Sequence, residues 1–477
     1  MTELAARAFA PARPSRVGTT GRWSASLLAL VLLGVGFADL FNSVNISFPL
    51  ALAGGLTLIA FLALTISHYE TAIAIGLLLM GVVRFEPPPA DIAFAVIMAV
   101  AAMTGRFRLN RVPLLLRWIV GLLLVVNLLS MMDVLSTSIA LRFLFITVYL
   151  AIFSLWFTGY VNSPSRARVV VVTWLAIGVI SAVVSVAALN LPVPGRSFIL
   201  GSVDGGERAS GFFKDPNVFG PFLIPIALIM LEQRIAPRFP KLLRLRGWTT
   251  WLCLLVLTLG ILFSYSRAAW ANFALALVVM LVASAMRRAG ARRALRALAS
   301  LLLVGGVVVV ILSATGSIGF LEHRAQLHQS YDSGRFAAQS FGWELGWTHP
   351  VGIGPGQFES YFPVASQSTF VRVFSEQGPM GLLLWVALLL VTLVLALRNV
   401  VVGRDTYGIG SAALLGAWCG LILNSVVVDT LHWRHMWVVA ALIWASTARD
   451  AATHAGPLRS QLGLGRPRRL APAPGSS

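Results

Sequence analysis

The chain has 477 residues, 57% of them hydrophobic and only 12% charged, with a mean hydropathy of +0.82. A soluble domain carries roughly 25% charged residues, so this composition excludes a water-soluble enzyme and predicts an integral membrane protein. The net charge of +19 would suggest nucleic acid in a soluble chain. Here it reads as the Arg and Lys excess that membrane proteins hold in cytoplasmic loops, and no nucleic-acid partner is expected.

Apolar runs able to cross about 30 Å of hydrocarbon lie near 23–41, 47–66, 71–85, 91–104, 112–131, 139–158 and 169–189. A second set lies near 218–232, 248–265, 267–286, 297–314, 377–397, 408–428 and 433–449. The third and fourth are short and flank Pro87-Pro88-Pro89, so 12–14 transmembrane helices are expected in one all-α, polytopic bundle covering residues 1–477. The first run is itself of spanning length and reads as an uncleaved first helix. Cys253 and Cys419 sit inside apolar runs and read as small buried hydrophobes, with no metal or disulfide pattern. Residues 1–20 and 455–477, rich in Pro, Gly, Ala and Arg, predict disordered tails near an anionic inner leaflet.

Basic residues orient these spans. One set of alternate loops and both tails hold 27 Arg and Lys; the other set holds nine, and Arg142 lies inside a run. The positive-inside bias predicts that both termini are cytoplasmic in a bacterial plasma (inner) membrane. The long polar interval 315–377 then becomes an extracytoplasmic loop with short helices. It carries Asp332-Ser333-Gly334-Arg335, the aromatic residues Phe336, Phe341, Trp343 and Trp347, and the stretch His349-Pro350-Val351-Gly352-Ile353-Gly354-Pro355-Gly356. A loop this long in a compact bundle is more often functional than idle.

The informative cations are those that break the bias. Arg208, Arg267, Arg372 and Arg434 all fall on the depleted side, against or inside membrane runs. A charge there is costly unless it snorkels, pairs or binds something. Guanidinium groups grip phosphate in a bidentate fork, so a cluster at the outer leaflet suits a lipid diphosphate. Arg208-Ala209-Ser210-Gly211-Phe212-Phe213-Lys214-Asp215-Pro216-Asn217 leads into the run from Val218, with Asn217 placed as the helix N-cap. A free helix N-terminus would add N–H donors toward a phosphate; a plain turn reads equally well. Gly352-Ile353-Gly354-Pro355-Gly356 lacks the strand–helix context of a dinucleotide site. It reads either as close backbone approach to a ligand or as a tight turn.

Three blocks resemble the O-antigen ligase and O-antigen polymerase family of membrane glycosyltransferases. They are Arg208 through Asn217; Ser264-Tyr265-Ser266-Arg267; and Gly334-Arg335 through His349-Pro350 to Thr369-Phe370-x-Arg372 and Glu376-x-Gly378-x-x-Gly381. Asp429, His432, Arg434 and Trp437 extend the likeness, which covers roughly residues 190–440. The resemblance implies an inverting, metal-independent and cofactor-free transfer at the outer face of the membrane, in surface polysaccharide biosynthesis. The donor would be a glycan on a polyprenyl (undecaprenyl-type) diphosphate and the acceptor a hydroxyl of a glycan or lipid. Arg208, Arg267 and Gln367 are the candidate catalytic residues. Lys214, Asn217, Arg335, Arg372 and Arg434 are the candidate substrate-binding residues.

One departure stands out. Where the family carries His-Asn, this chain has Gln367-Ser368, and a neutral amide orients a hydroxyl but takes no proton near pH 7. Asp332, His349, Glu359 and Glu376 are the loop's alternative bases, although His349 before Pro350 also reads as a helix end and Glu376 as a partner of Arg372. Two other readings stay open. A flippase or transporter of lipid-linked glycan would spread charges through its spans, whereas here only Arg142 lies inside one. A catalytically silent assembly partner would explain Gln367.

Overall fold

The computed structural model describes residues 48–203, 206–236, 241–286 and 332–461, with scattered residues between 295 and 322. The run at 23–41 and the tail residues 1–20 and 462–477 lie outside the described residues, as does half of 297–314. Each of the other twelve runs contains a helix: α1 (Phe48–Ser67), α2 (Tyr69–Leu79), α3 (Pro89–Met103), α4 (Leu114–Leu129), α5 (Thr137–Tyr160), α6 (Pro164–Asn190), α8 (Pro216–Ile235), α9 (Gly247–Phe263), α10 (Arg267–Ala285), α13 (Thr369–Val402), α14 (Ser411–Val427) and α15 (Arg434–Gln461). The short α7 (Arg196–Ile199) leads into a small hairpin, β1 (Leu200–Val203) and β2 (Gly206–Ala209). In the polar interval lie α11 (Asp332–Thr348) and α12 (Phe358–Tyr361). α15 runs helical to Gln461, so the first residues of the expected disordered tail, 455–461, continue the last helix instead.

Among the described residues six helices are long and apolar enough to cross a membrane: α4 extended to Asp133, α5, α6, α8, α10 and α13. Five further apolar stretches of helix are shorter, at 10–17 residues: Leu52–Ser67 of α1, then α2, α3, α9 and α14. The molecule is an all-α, polytopic membrane bundle, and the β1–β2 hairpin is a local addition to it.

Local chemistry fixes the helix starts. Ser163 accepts from the Arg166 N–H ahead of α6, and Ser266 accepts from the Ala269 N–H ahead of α10. α8 begins Asp215-Pro216-Asn217, and the expectation of Asn217 as N-cap is corrected here. The Asp215 carboxylate accepts from the Asn217 N–H at 2.8 Å, which makes Asp215 the cap and Pro216 the first helical residue. Proline's fixed φ and missing N–H favour that first position. α8 is apolar on all sides and the most enclosed of the long helices, with Phe219, Phe222, Leu223, Ile226 and Met230 all buried.

The closest helix approach joins α10 to α14 through Gly416-x-x-x-Gly420. A Cβ at Gly416 would lie 2.3 Å from the Ala276 carbonyl oxygen, and one at Gly420 would lie 1.9 Å from Asn272 Oδ1. Small residues four apart allow this approach in lipid, where no hydrophobic force drives helices together. We expect Gly416→Ala to lower stability by about 1–3 kcal/mol, because the neighbour it meets is backbone. Gly121→Ala in α4, with open space around its Cβ, should leave stability unchanged or raise it slightly. Thermal unfolding in detergent compares the two.

α13 is two helices in series. Gly378 has φ 69° and ψ −175°, followed by Pro379, and a Cβ there would lie 2.3 Å from the Pro350 carbonyl oxygen. A short segment, 369–377, therefore packs against α11, and the membrane-length segment follows the kink.

Candidate functional site

The β1–β2 hairpin pairs Gly201 with Arg208 and delivers the Arg208 side chain into the bundle, where only 2% of the residue remains exposed. Its Nε donates to the Ser264 carbonyl at 2.8 Å and its Nη2 to Asn217 Oδ1 at 3.0 Å. Ser264 opens the tight turn between α9 and α10, in which Tyr265 takes φ 47°, a left-handed conformation uncommon for a bulky residue. Gly220 of α8 packs on the same turn; a Cβ there would meet Ser264 Oγ at 2.7 Å and the Ala269 Cβ at 2.8 Å. Arg208 and Asn217 thus brace the turn from which Arg267 begins α10.

From that turn Arg267 reaches α11. Its Nη2 lies 2.8 Å from Asp332 Oδ1, with 26% of the Arg267 side chain exposed. One turn further along α11, Arg335 Nη2 donates to Gln367 Oε1 at 3.2 Å, and Gln339 Nε2 donates to the Gln367 carbonyl at 3.4 Å. Gln367 itself holds φ 50°, so its orientation is fixed by these partners rather than by backbone preference. Asp332, Arg335 and Gln339 share one side of a helix, and that side links Arg267 to Gln367. The structure therefore brings together Arg208, Asn217, Arg267, Arg335 and Gln367 through two shared elements, the 264–267 turn and α11.

The other predicted cations have ion pairs of their own. Lys214 and Arg142 both contact Glu86 in the loop after α2. Burial would raise the Glu86 carboxyl, but these two cations outweigh it and hold the carboxyl below its usual range. Arg142 sits in the second turn of α5, inside that candidate span but near its start. Arg434 donates through Nε to Asp91 at 2.6 Å and makes a second contact through Nη2. Arg372, buried, meets three carboxylates: Glu376 at 2.9 Å, Asp429 at 2.9 Å, and Glu359.

Glu376 also accepts from the Gly356 N–H at 2.8 Å, which ties the 352–356 stretch to α13. Gly352, Gly354 and Gly356 all have positive φ, and a Cβ on each would lie 2.2–2.3 Å from α13 backbone, Val134 or Phe143. The glycines there serve packing, so the tight-turn reading holds. His349 follows the last residue of α11 and contacts Thr348 Oγ1 and the Leu345 carbonyl, consistent with a helix end. His432 Nε2 lies 3.0 Å from Thr147 Oγ1, with its ring edge-on to Phe143. Burial pushes this imidazole down to about 4, against the pull of Asp429, so it is neutral at physiological pH.

Sequence reasoning missed Glu86, Asp91 and Gln339. Glu86 lies in the loop after α2 and Asp91 in the first turn of α3, and their partners Arg142, Lys214 and Arg434 are 56, 128 and 343 residues away, so no local pattern marks them. The helical spacing of Asp332, Arg335 and Gln339 was a usable signal. Among the described residues no three His, Cys, Asp or Glu side chains are grouped to hold a metal ion.

No curated protein matches the chain. The family model described as O-antigen ligase matches residues 252–386, a stretch from α9 through the first half of α13. It contains Arg267, Asp332, Arg335, Gln367 and Arg372 and stops short of Arg208, so it is narrower than the likeness read from the sequence. Over that stretch the chain is similar to the O-antigen ligase family.

Proposed function

We propose that the protein transfers a glycan from a polyprenyl diphosphate to an acceptor hydroxyl at the outer face of the membrane, with inversion at the anomeric carbon and no metal. The observation that carries this reading is the convergence of Arg208, Arg267 and Arg335 on one turn and one helix face, next to Gln367. Arg267, partly exposed, and Arg335 contact the diphosphate. Arg208, almost wholly enclosed, positions the turn and adds to the positive potential there. The acceptor oxygen attacks the anomeric carbon, the bond from that carbon to the diphosphate oxygen breaks, and the lipid diphosphate leaves with the electron pair. Guanidinium groups held in place before the reaction stabilise that developing charge without reorganising. Gln367 orients the acceptor hydroxyl through its amide, and the hydroxyl proton passes to a carboxylate or to water. Lys214, Asn217, Arg372 and Arg434 act around this centre by holding Glu86, Arg208, the Glu359–Glu376–Asp429 group and Asp91 in place.

The purified protein, given a polyprenyl-diphosphate-linked glycan and a hydroxyl acceptor, should consume the donor and release lipid diphosphate. Gln367→His should preserve or raise that rate, because general-base assistance is typically worth about 10²–10⁴-fold. Gln367→Ala should lower it modestly. A second reading, a silent assembly partner, draws on Gln367 alone. No turnover by the wild type together with no gain in Gln367→His would favour it.

The same proposal puts α11 and α12 outside the cell and both termini inside. With Cys253 and Cys419 replaced by Ala, Ser360→Cys on exposed α12 should react with an impermeant maleimide on intact cells. Labelling only after permeabilisation would reverse the orientation.

A further inference from the structure

α11 has four distinct edges. At about 100° per residue, Ala338, Gly342, Leu345 and Gly346 form a buried edge. Gly342 and Gly346 pack so closely on the first segment of α13 that a Cβ on either would lie 2.3 Å or less from Val371 or Phe374. Beside this edge runs the one carrying Asp332, Arg335 and Gln339, which faces Arg267 and Gln367. Next come Phe336, Trp343 and Trp347, within an arc of about 40°, and they are 65%, 41% and 74% exposed. Ser333, Ser340 and Glu344, also exposed, make up the last edge.

Large aromatic side chains left open along a single helix edge need an occupant, and here the surroundings indicate which. Trp343 and Trp347 both pack on Phe374, at ring-centroid distances of 4.8 and 5.1 Å. Four residues beyond Phe374 the chain kinks at Gly378, and the exposed apolar surface resumes at once with Met380 and Leu383 on the membrane-length segment of α13. Val351, which follows α11 and lies next to that kink, is exposed as well. The aromatic edge is therefore continuous with the lipid-facing surface of a spanning helix. Its flanks are polar, and Trp is the residue type that settles where hydrocarbon meets head groups.

We propose that α11 lies in the plane of the membrane interface, with its Phe336–Trp343–Trp347 edge seated in the phospholipid head-group and upper acyl region. A helix placed this way has one edge on protein, one on lipid and one in water, which matches the distribution above. The Asp332–Arg335–Gln339 edge is then held at head-group height, where any lipid diphosphate lies. The seating stands whether or not the proposed transfer is correct.

Nitroxides introduced singly at Phe336→Cys, Ser340→Cys, Glu344→Cys and Trp347→Cys, in the full chain with Cys253 and Cys419 replaced by Ala, test it in phosphatidylethanolamine–phosphatidylglycerol nanodiscs. Collision with oxygen should exceed collision with a nickel chelate at 336 and 347, the order should reverse at 344, and 340, only about 20° from 347 around the helix, should fall between. Nickel collision at either aromatic position equal to that at 344 overturns the proposal. Because a nitroxide could disturb the edge, benzoylphenylalanine in place of Trp347 keeps a large ring there. Irradiation in native membranes should add the mass of a phospholipid to the protein. An adduct with a glycan or another protein in its place would assign the edge to that partner and overturn the lipid seating.

Discussion

If the proposed transfer is correct, Arg267→Ala should abolish detectable glycan transfer while leaving the protein folded. The side chain begins α10, where Ala is at least as good a helix former, and Asp332, left without this partner, is 12% exposed at its side chain, so unfolding in detergent should shift by less than it does for Arg372→Ala. Turnover is another matter. A charge-assisted contact to an anion is worth roughly 1.5–3 kcal/mol, and removing one preorganised donor from a developing oxyanion typically costs about 10²–10³ in kcat. Arg267→Lys should recover little, since an ammonium cannot reproduce the bidentate fork. Asp332→Asn should have a smaller effect than either, because an amide oxygen still accepts from the Arg267 Nη2 that now lies 2.8 Å from it. If Arg267→Ala transfers glycan at the wild-type rate, the 264–267 turn is not the diphosphate site.

Arg372→Ala should instead damage the fold. The guanidinium is the shared cation for Glu359, Glu376 and Asp429, and the Glu376 side chain is 1% exposed. Removing one partner of a buried pair strands the other charge and costs about 3–5 kcal/mol. The loss spreads to the 352–356 turn, because the Gly356 N–H depends on Glu376. Replacing both partners, as Arg372→Met with Glu376→Gln, should lose less than Arg372→Ala alone. Equal unfolding temperatures for wild type and Arg372→Ala would show that the cluster does not hold the outer segment together.

The helices were readable because lipid imposes a simple length rule: apolar runs such as 169–189 and 267–286 had little choice but to become α6 and α10. Arg267 stood out for the same reason, as a charge with almost no polar chain around it. The hairpin was not readable, since four-residue strands carry too short an alternation to distinguish from a loop. The ion partners of Lys214 and Arg434 were not readable either. Glu86 and Asp91 are 128 and 343 residues away along the chain, and proximity across such spans has no local pattern. The start of α8 was misassigned because Asp215 and Asn217 are both good caps, although the Pro216 between them favours Asp215.

The glycine seam between α10 and α14 also sets an order of assembly during synthesis. Asn272 on α10 is buried under Gly420, yet more than a hundred residues separate the two helices. At about 5–20 residues per second, a nascent chain holds α10 in the membrane for on the order of ten seconds before α14 emerges. Through that interval the Asn272 amide faces lipid or the insertion machinery. A chain truncated before α14 should therefore stay bound to that machinery and be degraded, while one extended through Val427 should be released.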